Sequence, residues 1–342
     1  MIPNLEIDGL IHWHDPTRLV RSRGTLLEIS YDQGLTFKPF FKVPLKFYKR
    51  CISYSKLGCR LLRTNVKHCF PLKDDRWMVF CGQNIYVVDV RGSVHAVSSI
   101  HGSRPLRVCK TENNIFYGQY CPNPERRPIE LWQSSDDGLT WKSAFSFDNI
   151  RHIHGVFRNP LDHSIWVTTG DNDDESAIFR AADEHQLDFQ PILGGSQQTR
   201  VIDVLFGDEF IYFGSDAPNE QNWIYRCRFD GSGLEPLQAV SGTVFHAGNF
   251  AGQLYFSTAR EPSSVNKSNQ VELWRSSSDA SFEKVWFDKK DNWSMKYFQY
   301  GQIIFPAGPG TGNELWASSF ATNNDQKSFL FEIPTQSKTK AE

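Results

Sequence analysis

An all-β chain built from a repeated four-stranded unit is predicted by three features of the sequence. Aromatic residues make up 14% of its 342 residues, with 24 Gly, 17 Pro and only 3 Met, a composition that favours short strands joined by tight turns. A run of β-branched and aromatic residues ending in small ones recurs as WMVFCG (77–82), IFYGQY (115–120), IWVTTGD (165–171), IYFGSD (211–216), LYFSTA (254–259) and IIFPAG (303–308), at intervals of about forty to fifty residues. Each run follows an apolar strand such as HIHGVF, RVIDVLF or TVFHAGNF. It precedes an alternating one such as NIYVVDV, IELWQSS or VELWRSS, then a turn and a fourth strand.

Four strands per unit at this period is the pattern of a propeller blade. A lone four-stranded antiparallel sheet leaves both faces in water, whereas sheets packed around an axis bury each face against a neighbour. The units fall near 5–50, 58–101, 102–149, 150–195, 198–241, 242–290 and 292–335, which predicts a single seven-bladed β-propeller domain over 1–342. Six blades is the alternative, because the first unit is the least regular and 44–60 is poorly patterned.

Charge and cysteine content bound the function. With 37 Lys and Arg against 39 Asp and Glu, the chain lacks the dense positive field of a nucleic-acid binder. The amino-terminal MIPNLEIDGLIHWHDP has no basic segment leading into an apolar run, so no secretory signal is expected. No apolar stretch approaches the ~20 residues that cross a bilayer, and a soluble protein is expected. Cys51, Cys59, Cys69, Cys81, Cys109, Cys121 and Cys227 are odd in number and without CxxC spacing. That disfavours a zinc site or a full disulfide framework and points to reduced thiols in a cytoplasm.

One eight-residue turn occurs twice, as SYDQGLTF (30–37) and SSDDGLTW (134–141). Ser30, Asp32, Gly34, Thr36 and Phe37 align with Ser134, Asp136, Gly138, Thr140 and Trp141, a pattern that resembles the Asp-box, or bacterial neuraminidase repeat, of sialidases and other propellers. SSSDASF (276–282) keeps Ser277 and Asp279 but has Ser281 in place of Gly, and AADEHQLDF (181–189) keeps Asp183 and Phe189. The chemistry expected of this turn is structural, with the carboxylate accepting backbone N–H groups of its own loop. As the link between third and fourth strands it belongs to the end of the propeller away from the ligand loops.

Ligands of propellers sit over the channel where fourth-to-first and second-to-third strand loops converge, and loops on a rigid scaffold commonly carry function. At starts of first strands this selects Arg104, Arg107, Arg151, His152, His154, Arg200, Asp203, His246, Lys296, Gln299 and Tyr300; at ends of second strands it selects Tyr120, Asp171, Asp173, Asp216, Arg260 and Glu261. Arginine forks suit carboxylates, so Arg151, Arg200 and Arg260 are expected to converge on an anionic sugar, assisted by Asp216, Lys296 and Gln299. Glycoside cleavage needs a proton donor and a nucleophile or base, for which Asp171, Glu261, His154, His246 and Tyr300 are the candidates. DNDDE (171–175) reads as a solvated acidic loop beyond Asp171, with a weak calcium site as the alternative.

The pairs His12/His14 and His152/His154 are spaced to share one side of a strand, so each pair could hold a metal or flank a substrate. No cofactor is assigned, with a divalent metal as the alternative. Histidines and Gln at the channel also resemble the oligogalacturonate lyase group. That resemblance implies metal-dependent β-elimination on uronic acids, with Gln299 joining His154 and His246. The expected function is cleavage of an acidic oligosaccharide or polysaccharide, by a sialidase-like glycoside hydrolase ahead of a lyase, in a bacterial surface-polysaccharide context. The alternative is a non-catalytic propeller binding sugar or protein; some Asp-box propellers are assembly factors.

Overall fold

The computed structural model describes residues 1–278 and 280–334 and contains seven separate four-stranded antiparallel sheets. Six blades use consecutive strands. The first runs Leu10–His14, Leu19–Arg23, Leu26–Ser30 and Lys38–Lys42, and the fourth His152–Arg158, Ile165–Gly170, Ala177–Ala181 and Gln190–Gly194. The seventh is composite. Gln302–Ile304, Glu314–Phe320 and Lys327–Glu332 are completed by Leu5–Asp8, which pairs Leu5 with Leu330 and Asp8 with Lys327. The segment 5–8, read from the sequence as the start of the first unit, is therefore the outermost strand of the last.

Burial explains the continuous apolar runs of the sequence. All six residues of Ile165–Gly170 are buried, as expected of a strand covered on both faces, whereas the outer strand Val94–Ser99 alternates between exposed and half-buried. The apolar clusters straddle successive blades. Val20, Leu27 and Ile29 pack on Trp77, Val79 and Val88; Phe116 and Leu131 pack on Ile153, Val156 and Val167. Ile11 and Leu19 meet Trp316 where the last blade returns to the first. Each sheet thus completes its core only with its neighbours, and the ring rather than the blade is the stable unit.

The poorly patterned segment after the first blade forms two short helices, α1 (Phe47–Ile52) and α2 (Lys56–Leu62). Arg60 of α2 is fully buried and donates to Asp291, Asp325 and the Phe298 carbonyl, which fastens this insertion to the loop before the last blade. A third short helix, α3 (Met295–Phe298), lies in that loop. No helix among the described residues is long and apolar enough to cross a membrane. All seven cysteines are free thiols.

The twin turns adopt the same hydrogen-bonded form. Asp32 Oδ1 accepts from the Thr36 N–H and Oδ2 from its hydroxyl, at 2.8 and 2.6 Å; Asp136 does the same with Thr140 at 2.9 and 2.6 Å. Ser30 and Ser134 each donate to that carboxylate and accept the N–H of Gly34 or Gly138. At Gly138 the backbone turns at φ 84°, and a Cβ would fall 2.1 Å from the Met78 methyl of the preceding blade. Glycine is required there on both counts. Asp183 caps a looser turn through the N–H groups of His185 and Gln186. Asp279 lies outside the described residues, while Ser277 and Ser281 of that hairpin hydrogen-bond to each other.

Candidate functional site

Five inner strands share an irregularity at the channel end. Pairing with the second strand slips by one residue between Ile11 and Trp13, Val66 and His68, Ile153 and Gly155, Val201 and Val204, and Val244 and His246. A bulge of this kind leaves one residue unpaired and re-aims its side chain. His12, Lys67 and His154 occupy such positions and line the channel cavities, as does Asp203 within the fourth slip. His12 and His14 turn to different partners. His12 bonds Ser22, whereas His14 bonds Gln33 and Thr311, so these two do not form a pair.

The loops at this end enclose a cavity of about 410 Å³ lined by Asp171, Asp216, Glu261, His154, His246, Arg200, Gln299 and Tyr300, together with Arg63, Lys67, Arg104, Arg107 and Tyr120. It shares Lys67, Arg107, His246 and Gln302 with an adjoining cavity of about 280 Å³. Eight of the eleven residues given a catalytic or binding role from the sequence are thus brought together, along with Arg104, Arg107 and Tyr120 of the wider rim. Three are not among its lining. Arg151 reaches the site from outside through Asp171, at 2.8 Å. Arg260 turns to the carbonyls of Glu261 and Asn266 and caps that loop. Lys296 is exposed, with its ammonium over Tyr297. The expected convergence of Arg151, Arg200 and Arg260 does not form.

The cations that do face the cavity come mainly from the second and third blades. Arg107 makes a two-pronged bond to Asp203 at 2.9 and 2.7 Å. Arg104 donates to Gln299 at 3.3 Å, and among the described residues Arg63, Lys67 and Arg104 have no carboxylate partner. Burial, with Arg107 and Arg104 adding to it, lowers the Lys67 ammonium to about 7; burial and Arg63 lower Arg104 to about 10. Lys67 and Arg63 are missing from the sequence-derived set because the helical insertion hides where the second inner strand begins. The same inner-strand rule applied to NVKHCF (65–70) selects Lys67.

Acids gather on the other blades around Arg200, which donates to Asp216 and to Asp171, each at 3.1 Å. Gly170 makes room for this: a Cβ there would lie 2.7 Å from His154 and 3.1 Å from Arg200. Burial pushes Asp216 well above the usual carboxylate range despite Arg200, with Glu261 and Asp171 adding to the rise. Burial likewise raises Glu261. Asp216 Oδ1 and Glu261 Oε1 are both buried without a hydrogen-bond partner among the described residues. Burial would also raise Asp171, but His152, His154 and Arg200 outweigh it and hold that carboxylate far below its ordinary range. Adjacent carboxyls are therefore driven apart, one ionised and two favouring the protonated form.

The histidines divide into two environments. His246 Nδ1 accepts from Arg107 at 3.1 Å, so Nε2 carries the proton and donates to Gln302 at 3.2 Å; burial and the charges of Arg107 and Lys67 keep the ring neutral. Gln299, at φ 67°, donates to the Arg60 carbonyl, and the expected grouping of His154, His246 and Gln299 around a metal is not assembled. His152 and His154 instead meet Asp171, and Tyr120 stacks on His152 with ring centres 4.1 Å apart. Burial brings His154 down to about 4 against the pull of Asp171, and lifts the Tyr120 phenol to about 12. In the 173–175 loop, Asp173 and Asp174 are exposed, while Glu175 is buried against Arg126 and the Arg151 N–H. These carboxylates point to separate partners instead of a shared cation.

No protein-family model matches the chain, and no curated protein does. Many solved structures share its architecture. A chain of the mitotic checkpoint complex aligns with TM-score 0.62 at 11% identity, over 98% of this chain and 96% of that one. The carboxy-terminal WD40 domain of Sif2 aligns with TM-score 0.57 at 10% identity, over 98% of both chains. The extracellular domain of a proposed one-component system, BT4673 of B. thetaiotaomicron, aligns with TM-score 0.62 at 10% identity, over 96% of this chain but 39% of that one. At these identities the likeness is one of fold: a seven-bladed β-propeller with WD40-type neighbours.

Proposed function

We propose that the channel cavity binds a carboxylate-bearing sugar and cleaves its glycosidic bond. The observation that carries this reading is the charge arrangement. Arg63, Lys67 and Arg104 line the cavity without an acid partner among the described residues, and the buried Asp216 and half-buried Glu261 line it too. Crowded cations that depress one another gain most from an incoming anion, and a sugar carboxylate offers one that a guanidinium fork can grip. Asp216 and Glu261 favour the protonated form from which a leaving oxygen can be protonated, and Asp171 is the ionised second carboxylate such a cleavage needs. Tyr300, whose phenol is raised by burial and by Glu261, shares the cavity. The two Asp-box-like turns support a kinship with sialidase-type propellers.

The test is turnover of acidic oligosaccharides of nonulosonic and uronic acid types, followed by reducing-sugar release and by formation of unsaturated product. Asp216→Asn and Glu261→Gln should abolish product while leaving the circular dichroism and melting temperature near those of the parent. No turnover across the panel, with and without divalent metal, overturns the reading. Affinity without product, tolerant of both substitutions, would make the cavity a binding module.

A further inference from the structure

We propose that His152, His154 and Asp171 form a site for a zinc-class divalent transition ion, with its open side toward the channel cavity. The two Nε2 atoms lie 3.1 Å apart, and Asp171 Oδ1 lies 3.4 Å from one and 3.5 Å from the other. Donors bound at about 2.0–2.2 Å to a tetrahedral centre stand about 3.3–3.6 Å from each other. The two edges to Asp171 already have that length, and the imidazole nitrogens need to part by only about 0.2 Å from their 3.1 Å separation to complete three corners of such a site.

Hydrogen bonding fixes the chemistry of those corners. His152 Nδ1 faces the Cys121 carbonyl at 3.2 Å and His154 Nδ1 faces the Val201 carbonyl at 3.1 Å. A carbonyl only accepts, so each Nδ1 carries a proton and each Nε2 presents its lone pair inward. This is the support that orients metal-ligating imidazoles. A proton placed between the rings bridges one edge of the triangle; a divalent ion joins all three.

The carboxylate is supported as well. Asp171 Oδ2 is held by Arg151 at 2.8 Å, and Arg200 reaches Oδ1 at 3.1 Å. Both guanidiniums keep it ionised and aligned, and their charge makes the site weaker than a closed structural zinc site. Both imidazoles are buried, at 4% and 2% exposure, while His154 and Asp171 line the cavity, so the remaining coordination position faces the ligand space. Two imidazoles with one carboxylate suit zinc, cobalt, iron(II) or manganese above magnesium or calcium, which take oxygen donors. A bound ion would occupy Asp171 Oδ1, which Arg200 reaches in its absence, and leaves the Asp216–Glu261 pair untouched. The site does not depend on the sugar reading.

The experiment uses the full chain, stripped with a chelator and titrated with Zn²⁺ by calorimetry and with Co²⁺ by visible absorption. The expected result is one ion per chain, with the intense d–d bands of low-coordinate cobalt. His152→Asn, His154→Asn and Asp171→Asn should each abolish the one-to-one binding. His163→Gln, on the exposed surface, should not change it. If a histidine variant does not fold, loss of the cobalt bands in the Asp171→Asn protein decides. Absence of stoichiometric binding by the parent, or binding indifferent to the Asp171 and histidine changes, overturns the proposal. Turnover of sugars plays no part in this readout, so the two readings fail separately.

Discussion

Replacing Lys67 by methionine should stabilise the fold and weaken anion binding together. Lys67 emerges from the bulge of the second inner strand among Arg104 and Arg107, and burial with those charges takes its ammonium from 10.5 to about 7. The unfolded chain keeps that proton up to 10.5, so between pH 7 and 10.5 the folded state binds fewer protons and stability rises with pH. At ~1.4 kcal/mol per tenfold change in proton affinity, placing this amine in the fold costs ~5 kcal/mol near pH 6 and ~2 kcal/mol near pH 9. Methionine matches the length of the side chain and carries no charge. Its advantage over lysine should therefore shrink by ~3 kcal/mol between those two pH values, whatever its packing contributes at both.

Urea unfolding of parent and Lys67→Met at pH 6 and pH 9 measures that difference directly. Calorimetry with glucuronate supplies the functional half. The parent should take up protons on binding and lose affinity as the pH rises through 7, whereas the methionine variant should bind more weakly with little pH dependence. A stability gap equal at both pH values would mean that Lys67 is an ordinary exposed ammonium. Unchanged glucuronate affinity in the variant would remove it from the anion site.

Two further substitutions separate scaffold from site. Asp136→Ala removes both bonds to Thr140 and the one from Ser134, and should lower the unfolding free energy by about 1–3 kcal/mol with turnover unchanged; a folded variant without activity would place chemistry in the hairpin. Arg60→Met takes the buried guanidinium from Asp291, Asp325 and the Phe298 carbonyl while Lys290 still pairs with Asp291, a loss on the order of 1–3 kcal/mol. Amide exchange should quicken first in 47–62 and 291–299, and uniform quickening around the ring would refute the tether.

The strand pattern was legible because each second strand is covered on both faces. WMVFCG and IWVTTGD are apolar without interruption for that reason, and their spacing counts the blades. What closes the ring was not legible: Leu5–Asp8 pairs with residues more than three hundred positions away, and nothing local in LEID distinguishes a first strand from a last. The site was half legible for a different reason. Period-two reasoning assumes regular pairing, and the inner strands abandon it where they meet the cavity. HWH and HIH look alike in sequence and each has one histidine at a pairing slip, yet Ser22 claims His12 and Gln33 and Thr311 claim His14, while Asp171 from the next strand draws His152 and His154 together. Arg260 has the position of a ligand contact but two carbonyls of its own loop claim it.

The repeated bulge also bears on how charge is distributed around the mouth. Lys67 and Arg107 begin the second and third inner strands and Arg63 and Arg104 precede them, whereas Asp171, Asp216 and Glu261 end second strands of the fourth, fifth and sixth blades. The cations without a carboxylate partner and the protonatable acids thus occupy different arcs of one ring, with Arg200 set among the acids. A rigid ring keeps them apart, since opposite charges free to approach would pair and neutralise one another, as Arg107 and Asp203 do across the channel. The unpaired arc of Arg63, Lys67 and Arg104 can then draw an anionic group to one side, leaving the rest of the ligand to lie toward Asp216 and Glu261. Orientation of the ligand would follow from which blade each charge is built on, and the fold supplies that order before any ligand arrives.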